Sequence, residues 1–169
     1  MSTNVFSTAL SNARQNFAAI ARSNADRRSL TPLTDEPGGP GDLQRLSRDE
    51  CLRLLASRRF GRFAHVESAR ALNVVPVNYV SRSDGSVLFR TGPGPKLSAA
   101  ERRDVVAFEI DEINEAEHTG WSVLVVGRAR RLSHAEVQRL GDLPKPWANG
   151  PRYQWVLIEP TRIEGRRLT

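Results

Sequence analysis

The run Phe89-Arg90-Thr91-Gly92-Pro93-Gly94-Pro95-Lys96 sets a guanidinium, a hydroxyl and an ammonium around one turn rich in glycine and proline. Such a set can hold a phosphate, with Arg90 as a planar fork, Thr91 as a hydroxyl donor and Lys96 as a point charge. A short helix starting near Leu97 would add its positive end. The run is not a Walker loop, because the glycine spacing and the G-K-[ST] ending are absent. Taken alone, it describes a tight turn flanked by exposed basic residues equally well.

Other chemistries have weaker candidates. His65, His118 and His134 are far apart and form neither H-x-x-x-H nor H-E-x-x-H, so no metal site is expected. Each histidine reads as a surface or core residue. There is no G-x-S-x-G elbow and no Cys/His pairing for a nucleophile. Cys51 shares a helix face with Leu54 and Leu55 and reads as a small core residue. Glu109, Asp111, Glu112, Glu115 and Glu117 resemble a metal or acid/base cluster, but their position at a strand end and in the next loop points to a solvated face. No catalytic residue stands out.

The elements that must position these groups follow from periodicity. Ser47-Arg48-Asp49-Glu50 is a capping box and predicts a helix to about Arg58. From Phe60 the period becomes extended. Phe60–Val66 alternates, and Leu72–Val80 and Ser86–Thr91 flank the hairpin turn Ser83-Asp84-Gly85. Asp104–Asp111 and Trp121–Leu132 add two β-rich runs, and Tyr153–Glu159 and Thr161–Leu168 a final pair divided by Pro160. Short helices are expected at Leu97–Arg102 and Ser133–Leu140. The sum is a mainly β chain, an antiparallel barrel of six or seven strands with short peripheral helices.

A chain of 169 residues fits one such domain plus an extension. Residues 1–42 are rich in Ser, Asn, Ala and Arg and end in Pro37-Gly38-Gly39-Pro40-Gly41, a linker. They read as an arm, flexible or partly helical, packed on its own body or a partner, with targeting as the alternative. The body is 43–169. With 39% hydrophobic and 26% charged residues and no apolar stretch of about 18, a membrane-spanning role is excluded. The net charge of +6 invites a nucleic-acid reading, but the arginines are spread along the chain and not clustered with aromatics on one face, which disfavours it. The single cysteine suits a reducing, cytoplasmic compartment.

Four further stretches flank the phosphate-type run in order. They are "RDECLRLLASRRFGRFAHV" with Val74-Val75-Pro76-Val77-Asn78-Tyr79, then Gly120-Trp121-Ser122-Val123-Leu124-Val125-Val126-Gly127, then "PWANGPRYQWVLIEPTRIEGRRL". Over residues 43 to 168 the chain resembles the pyridoxamine 5'-phosphate oxidase-like family of FMN-binding split barrels. The resemblance implies a homodimer with flavins at the dimer interface, FMN as cofactor and an oxidoreductase type of activity on an unknown small molecule. It implies that Phe89, Arg90, Thr91 and Lys96 form the phosphate segment, and that Val75, Pro76, Val77 and Asn78 line the ring edge largely through backbone. Trp121 and Ser122 would contribute from a later strand, across the dimer, and Trp147 and Arg152 would close the pocket. The vitamin oxidase itself carries an Arg and a His near its C-terminus, whereas this chain ends "TRIEGRRLT", so that activity is not implied. A deazaflavin-dependent reductase of the same fold, or a non-catalytic flavin or haem module, is the alternative, since fold does not fix reaction.

Overall fold

The computed structural model describes residues 43–68, 71–140 and 153–169. The N-terminal arm and the positions Trp147 and Arg152 lie outside the described residues. β1, Leu43–Arg45, is a short strand that periodicity did not reveal, because its three residues are all exposed and carry no alternation. The capping box then opens α1, Arg48–Ser57. Ser47 Oγ accepts from the Glu50 amide at 3.3 Å, and the Glu50 carboxylate accepts from the Ser47 amide at 3.0 Å, satisfying two donors that a helix start leaves unbonded.

The strands β2, Phe60–Ser68, and β3, Ala71–Ser81, form a hairpin, and β4, Val87–Thr91, follows. The turn between β3 and β4 needs Gly85, at φ 88°, and is held by the Asp84 carboxylate accepting from the Ser86 amide at 2.8 Å. Next come α2, Pro95–Glu101, β5, Val105–Asn114, and β6, Thr119–Arg131. α3, His134–Gln138, and β7, Gln154–Leu168, complete the described order. Every pairing is antiparallel. The seven-stranded order is β1-β7-β4-β3-β2-β5-β6, and β6 also pairs with β7, so β2 to β7 form a ring with β1 laid on the end of β7. No helix among the described residues is long and apolar enough to cross a membrane.

Alternation decides what fills the ring. Phe63, Tyr79, Phe89 and Phe108 point inward and are essentially unexposed. Phe63 meets Phe89 at 5.0 Å between ring centroids, and Tyr79 meets Phe108 edge-on at 4.7 Å. Each such side chain contributes about 1.5–3 kcal/mol by leaving water. The Tyr79 hydroxyl donates to the Leu55 carbonyl at 2.8 Å and ties α1 to β3. Cys51 is buried, and a side chain at Gly165 would come within 2.6 Å of its Sγ, so Cys51 is a packing residue between α1 and β7. A second apolar cluster of Leu88, Leu132, Trp155 and Leu157 lies outside the ring under Val137 and Leu140.

Pro160 does not divide the last strand. β7 runs unbroken through it, and the ladder absorbs it as a bulge: Gly127 faces Pro160 and Val126 faces Arg162, with Thr161 the extra residue. The buried positions switch accordingly from Val156 and Ile158 to Gly165, with Ile163 packed on the core.

Candidate functional site

β3 is longer than its partners. Along one edge it pairs with β2 from Asn78↔Phe60 to Ala71↔Ser68, but along the other it meets β4 only at Tyr79, Val80 and Ser81. Residues 71–78 therefore present a strand edge with no strand partner among the described residues. β4, which flanks this edge, ends at Thr91, and the chain turns through Gly92–Gly94 into α2. This gap is the split in the ring.

Beside it lies a cleft of about 680 Å³ lined by Arg58, Arg62, Val75, Pro76, Asp111 and Glu112, among others. Its charged wall is paired internally. Arg62 binds Asp111 and Arg58 binds Glu112. Glu112 also accepts from Trp121 Nε1 at 3.1 Å, and the Arg58 guanidinium sits 5.4 Å from the indole centroid. Arg58 Nε is buried without an acceptor among the described residues. Ser122 faces Asp111 across the β5–β6 ladder. The cleft thus holds Val75 and Pro76 directly and reaches Trp121 and Ser122 through Glu112 and Asp111. Val77 and Phe89 point into the core, so only their backbone is available to a ligand, and Asn78 is half-buried opposite Phe60.

The phosphate-type residues are dispersed by the pleat. Arg90 and Thr91 are successive strand residues and point to opposite faces. Thr91 is buried, and its hydroxyl donates to the Gly92 carbonyl at 3.1 Å. Arg90 lies outside the ring, its guanidinium 5.0 Å from the Trp155 centroid. Lys96 sits in the first turn of α2, a helix of seven residues with Pro95 at its start, so little dipole and one fewer amide stand at its N-terminus. Gly94, at φ 136°, has no atom within 4 Å of where a side chain would begin, and it lines a depression of about 270 Å³ with Glu67, Pro95, Ser98 and Arg102.

Two features of this region add to the sequence reading, the second of them a histidine read there as a surface or core residue. The acidic run reads as a solvated face, but Asp111 and Glu112 are engaged by Arg62 and Arg58. Outward alternation of Arg62 on β2 and of Glu109 and Asp111 on β5 was the available signal. His65 is 2% exposed, stacked on Phe63 at 5.2 Å, with Nδ1 unbonded among the described residues. Burial lowers its pKa below the ordinary 6.5, outweighing the Val66 backbone and the Glu67 carboxylate, with Lys96 and Arg102 adding to the lowering.

A closed antiparallel ring with one strand edge left open defines a split-barrel protein. Residues 47–167 match the family described as pyridoxamine 5'-phosphate oxidase, and the chain belongs to that family. It is 38% identical over 138 residues to the uncharacterized protein Rv0080 of Mycobacterium tuberculosis, covering 78% of this chain and 90% of that one. Among solved structures it is similar to the FAD binding protein from Mycobacterium smegmatis, at 32% identity and a TM-score of 0.56, with 75% of this chain and 99% of that chain covered. An FAD-binding protein from Mesorhizobium loti, at 22% identity, a TM-score of 0.62 and the same coverages, shares the fold.

Proposed function

We propose that the protein binds a flavin nucleotide, FMN, as a homodimer and uses it to oxidise or reduce a small molecule. The observation that carries this reading is the open edge of β3 over residues 71–78, flanked by β4, the strand that leads into the Gly92–Gly94 turn. A flavin ring needs an apolar slot with a few aligned backbone groups, and its phosphate needs cations and donors. Val75 and Pro76 supply the slot and the β3 edge supplies the backbone groups. Lys96 supplies charge at the turn, and the bare Cα of Gly94 permits close approach. The bound flavin provides hydride and electron transfer. The chain's own residues bind, orient and exclude water: the Arg58–Glu112–Trp121 group fixes one wall, and the Arg62–Asp111 pair fixes the next. FAD is the second reading, favoured by the 32% identity to the M. smegmatis FAD binding protein; the adenylate would extend past the same phosphate position.

The test is a titration of the purified full chain with riboflavin, FMN and FAD, followed by absorbance. Binding of FMN or FAD is expected, and Lys96→Ala should weaken it about tenfold or more, roughly 1.4 kcal/mol, with riboflavin affected little. Equal losses for riboflavin and FMN would remove the phosphate role from Lys96. A protein that ignores all three flavins yet quenches deazaflavin fluorescence would shift the assignment to the deazaflavin reductases.

A further inference from the structure

We propose a second ligand site, for a small organic anion with an apolar body, in the cleft enclosed by α1, the β3–β4 turn, the end of β6, α3 and the middle of β7. The cleft has a volume of about 660 Å³ and shares no lining residue with the cleft beside β3.

Four guanidiniums reach it, from Arg48, Arg82, Arg130 and Arg139, against three carboxylates. The carboxylates are already engaged within the chain. Arg130 spans Glu136 at 2.6 Å and Glu159 at 2.7 Å. Glu136 also accepts from the Ser133 amide at 2.8 Å as the partner of a capping box, and Asp84 is taken by Ser86. Arg48 donates at 3.1 Å to the Asp84 carbonyl, a neutral acceptor. The side chains of Arg82 and Arg139 make no hydrogen bond or ion pair among the described residues. Two planar forks on two separate elements therefore line the cleft with no hydrogen bond to another described residue, Arg82 acting on Asp84 through its charge alone, and a carboxylate, sulfonate or phosphate group would satisfy their donors.

The floor is different in kind. Leu132 and Leu157 belong to the outer apolar cluster and are held by β6 and β7, and Leu140 and Pro160 border them. An inorganic anion would leave this floor wet, and a neutral apolar molecule would leave the guanidiniums unmatched. An anion with an apolar body satisfies both. Because the β6 and β7 ladders fix the floor, the site is preformed and its occupancy costs little ordering.

The proposal is tested by calorimetric titration of the full chain with 2-naphthoate, with 2-naphthalenemethanol as the neutral analogue and inorganic phosphate as the anion without an apolar body. One naphthoate per chain is expected, at least tenfold tighter than either control. Arg82→Gln with Arg139→Gln should weaken naphthoate at least tenfold, with an unchanged urea midpoint because both side chains are exposed. Each single variant should weaken it less, and these keep the test open to refutation if the pair does not fold. Absence of binding, equal binding by the variants, phosphate binding as tight as naphthoate, or naphthoate binding that competes with flavin would each overturn the proposal. The titration needs no flavin, so its failure is separable from failure of the flavin reading.

Discussion

At the scale of single residues, His65 and Arg90 make opposite demands on their surroundings. His65 is buried, with Nδ1 unbonded among the described residues, and this desolvation outweighs the Val66 backbone and the Glu67 carboxylate, which favour the charged form, so its folded pKa lies below 6.5. Unfolding restores the ordinary value, so the unfolded chain binds the proton more readily. The stability linked to His65 is therefore fully present above about pH 6.5 and is lost as pH falls through the folded value. Urea midpoints at pH 7.5, 6 and 5 should decline for the wild-type chain, and His65→Leu should flatten that decline; an identical slope in the variant would clear His65 of the linkage. Glu50 and Glu136 do not confuse the window. Their capping-box hydrogen bonds hold both carboxyls below 4.5, Glu136 at about 2, so they titrate at more acid pH. The Arg90 guanidinium lies over the Trp155 ring. Arg90→Ala should cost about 0.5–1 kcal/mol of stability, the scale of an exposed cation–π contact, and leave the ratio of FMN to riboflavin affinity unchanged. A selective loss of FMN in that variant would return Arg90 to the phosphate.

At the scale of elements, the fold depends on where two strands press closest. At the β6–β7 bulge a side chain on Gly127 would lie 2.1 Å from the Glu159 carbonyl oxygen, a backbone atom that cannot swing aside. Gly127→Ala should lower stability by about 1–3 kcal/mol or more through forced displacement of the ladder, read as a lower urea midpoint with unchanged slope. A midpoint equal to wild type would mean that β7 slides freely past β6. The same bulge marks the limit of what the sequence disclosed. The capping box at Ser47, period-two alternation and the Asp84-Gly85 turn are local signals, and helices and strands lie where they indicate. Pro160 reads as a break because its own segment cannot reveal that Gly127, far away in sequence, lets the partner backbone approach and accommodate the extra Thr161. The site divides similarly. Val75 and Pro76 were legible as one motif. The Arg58–Glu112–Trp121 group is assembled from a helix end and two strands, so no single stretch contains it. Arg90 and Thr91 look like one grip in sequence, yet the pleat sends them to opposite faces.

At the scale of the whole molecule, the outer face of the β2–β3 hairpin is apolar and exposed among the described residues. Val66 faces Leu72 and Ala64 faces Val74 across the ladder, with Leu72 70% and Val74 57% exposed. Contiguous exposed apolar surface of this kind marks an interaction site. It runs into the cleft beside β3, since Val74 lines both. A second copy seated there, as the proposed homodimer requires, would bury the patch beside the cleft. The proposed homodimer and the proposed flavin site are thereby coupled. Leu72→Glu with Val74→Glu places two carboxylates against their symmetry mates in any self-complementary interface. The variant should elute as a monomer at micromolar concentration by light scattering. Its flavin affinity should fall about tenfold or more, although neither substitution touches the phosphate turn. A monomer that keeps full affinity would show that one chain completes the cleft. A variant that remains dimeric would show that the copies meet on another face, and the apolar hairpin would then need a different occupant.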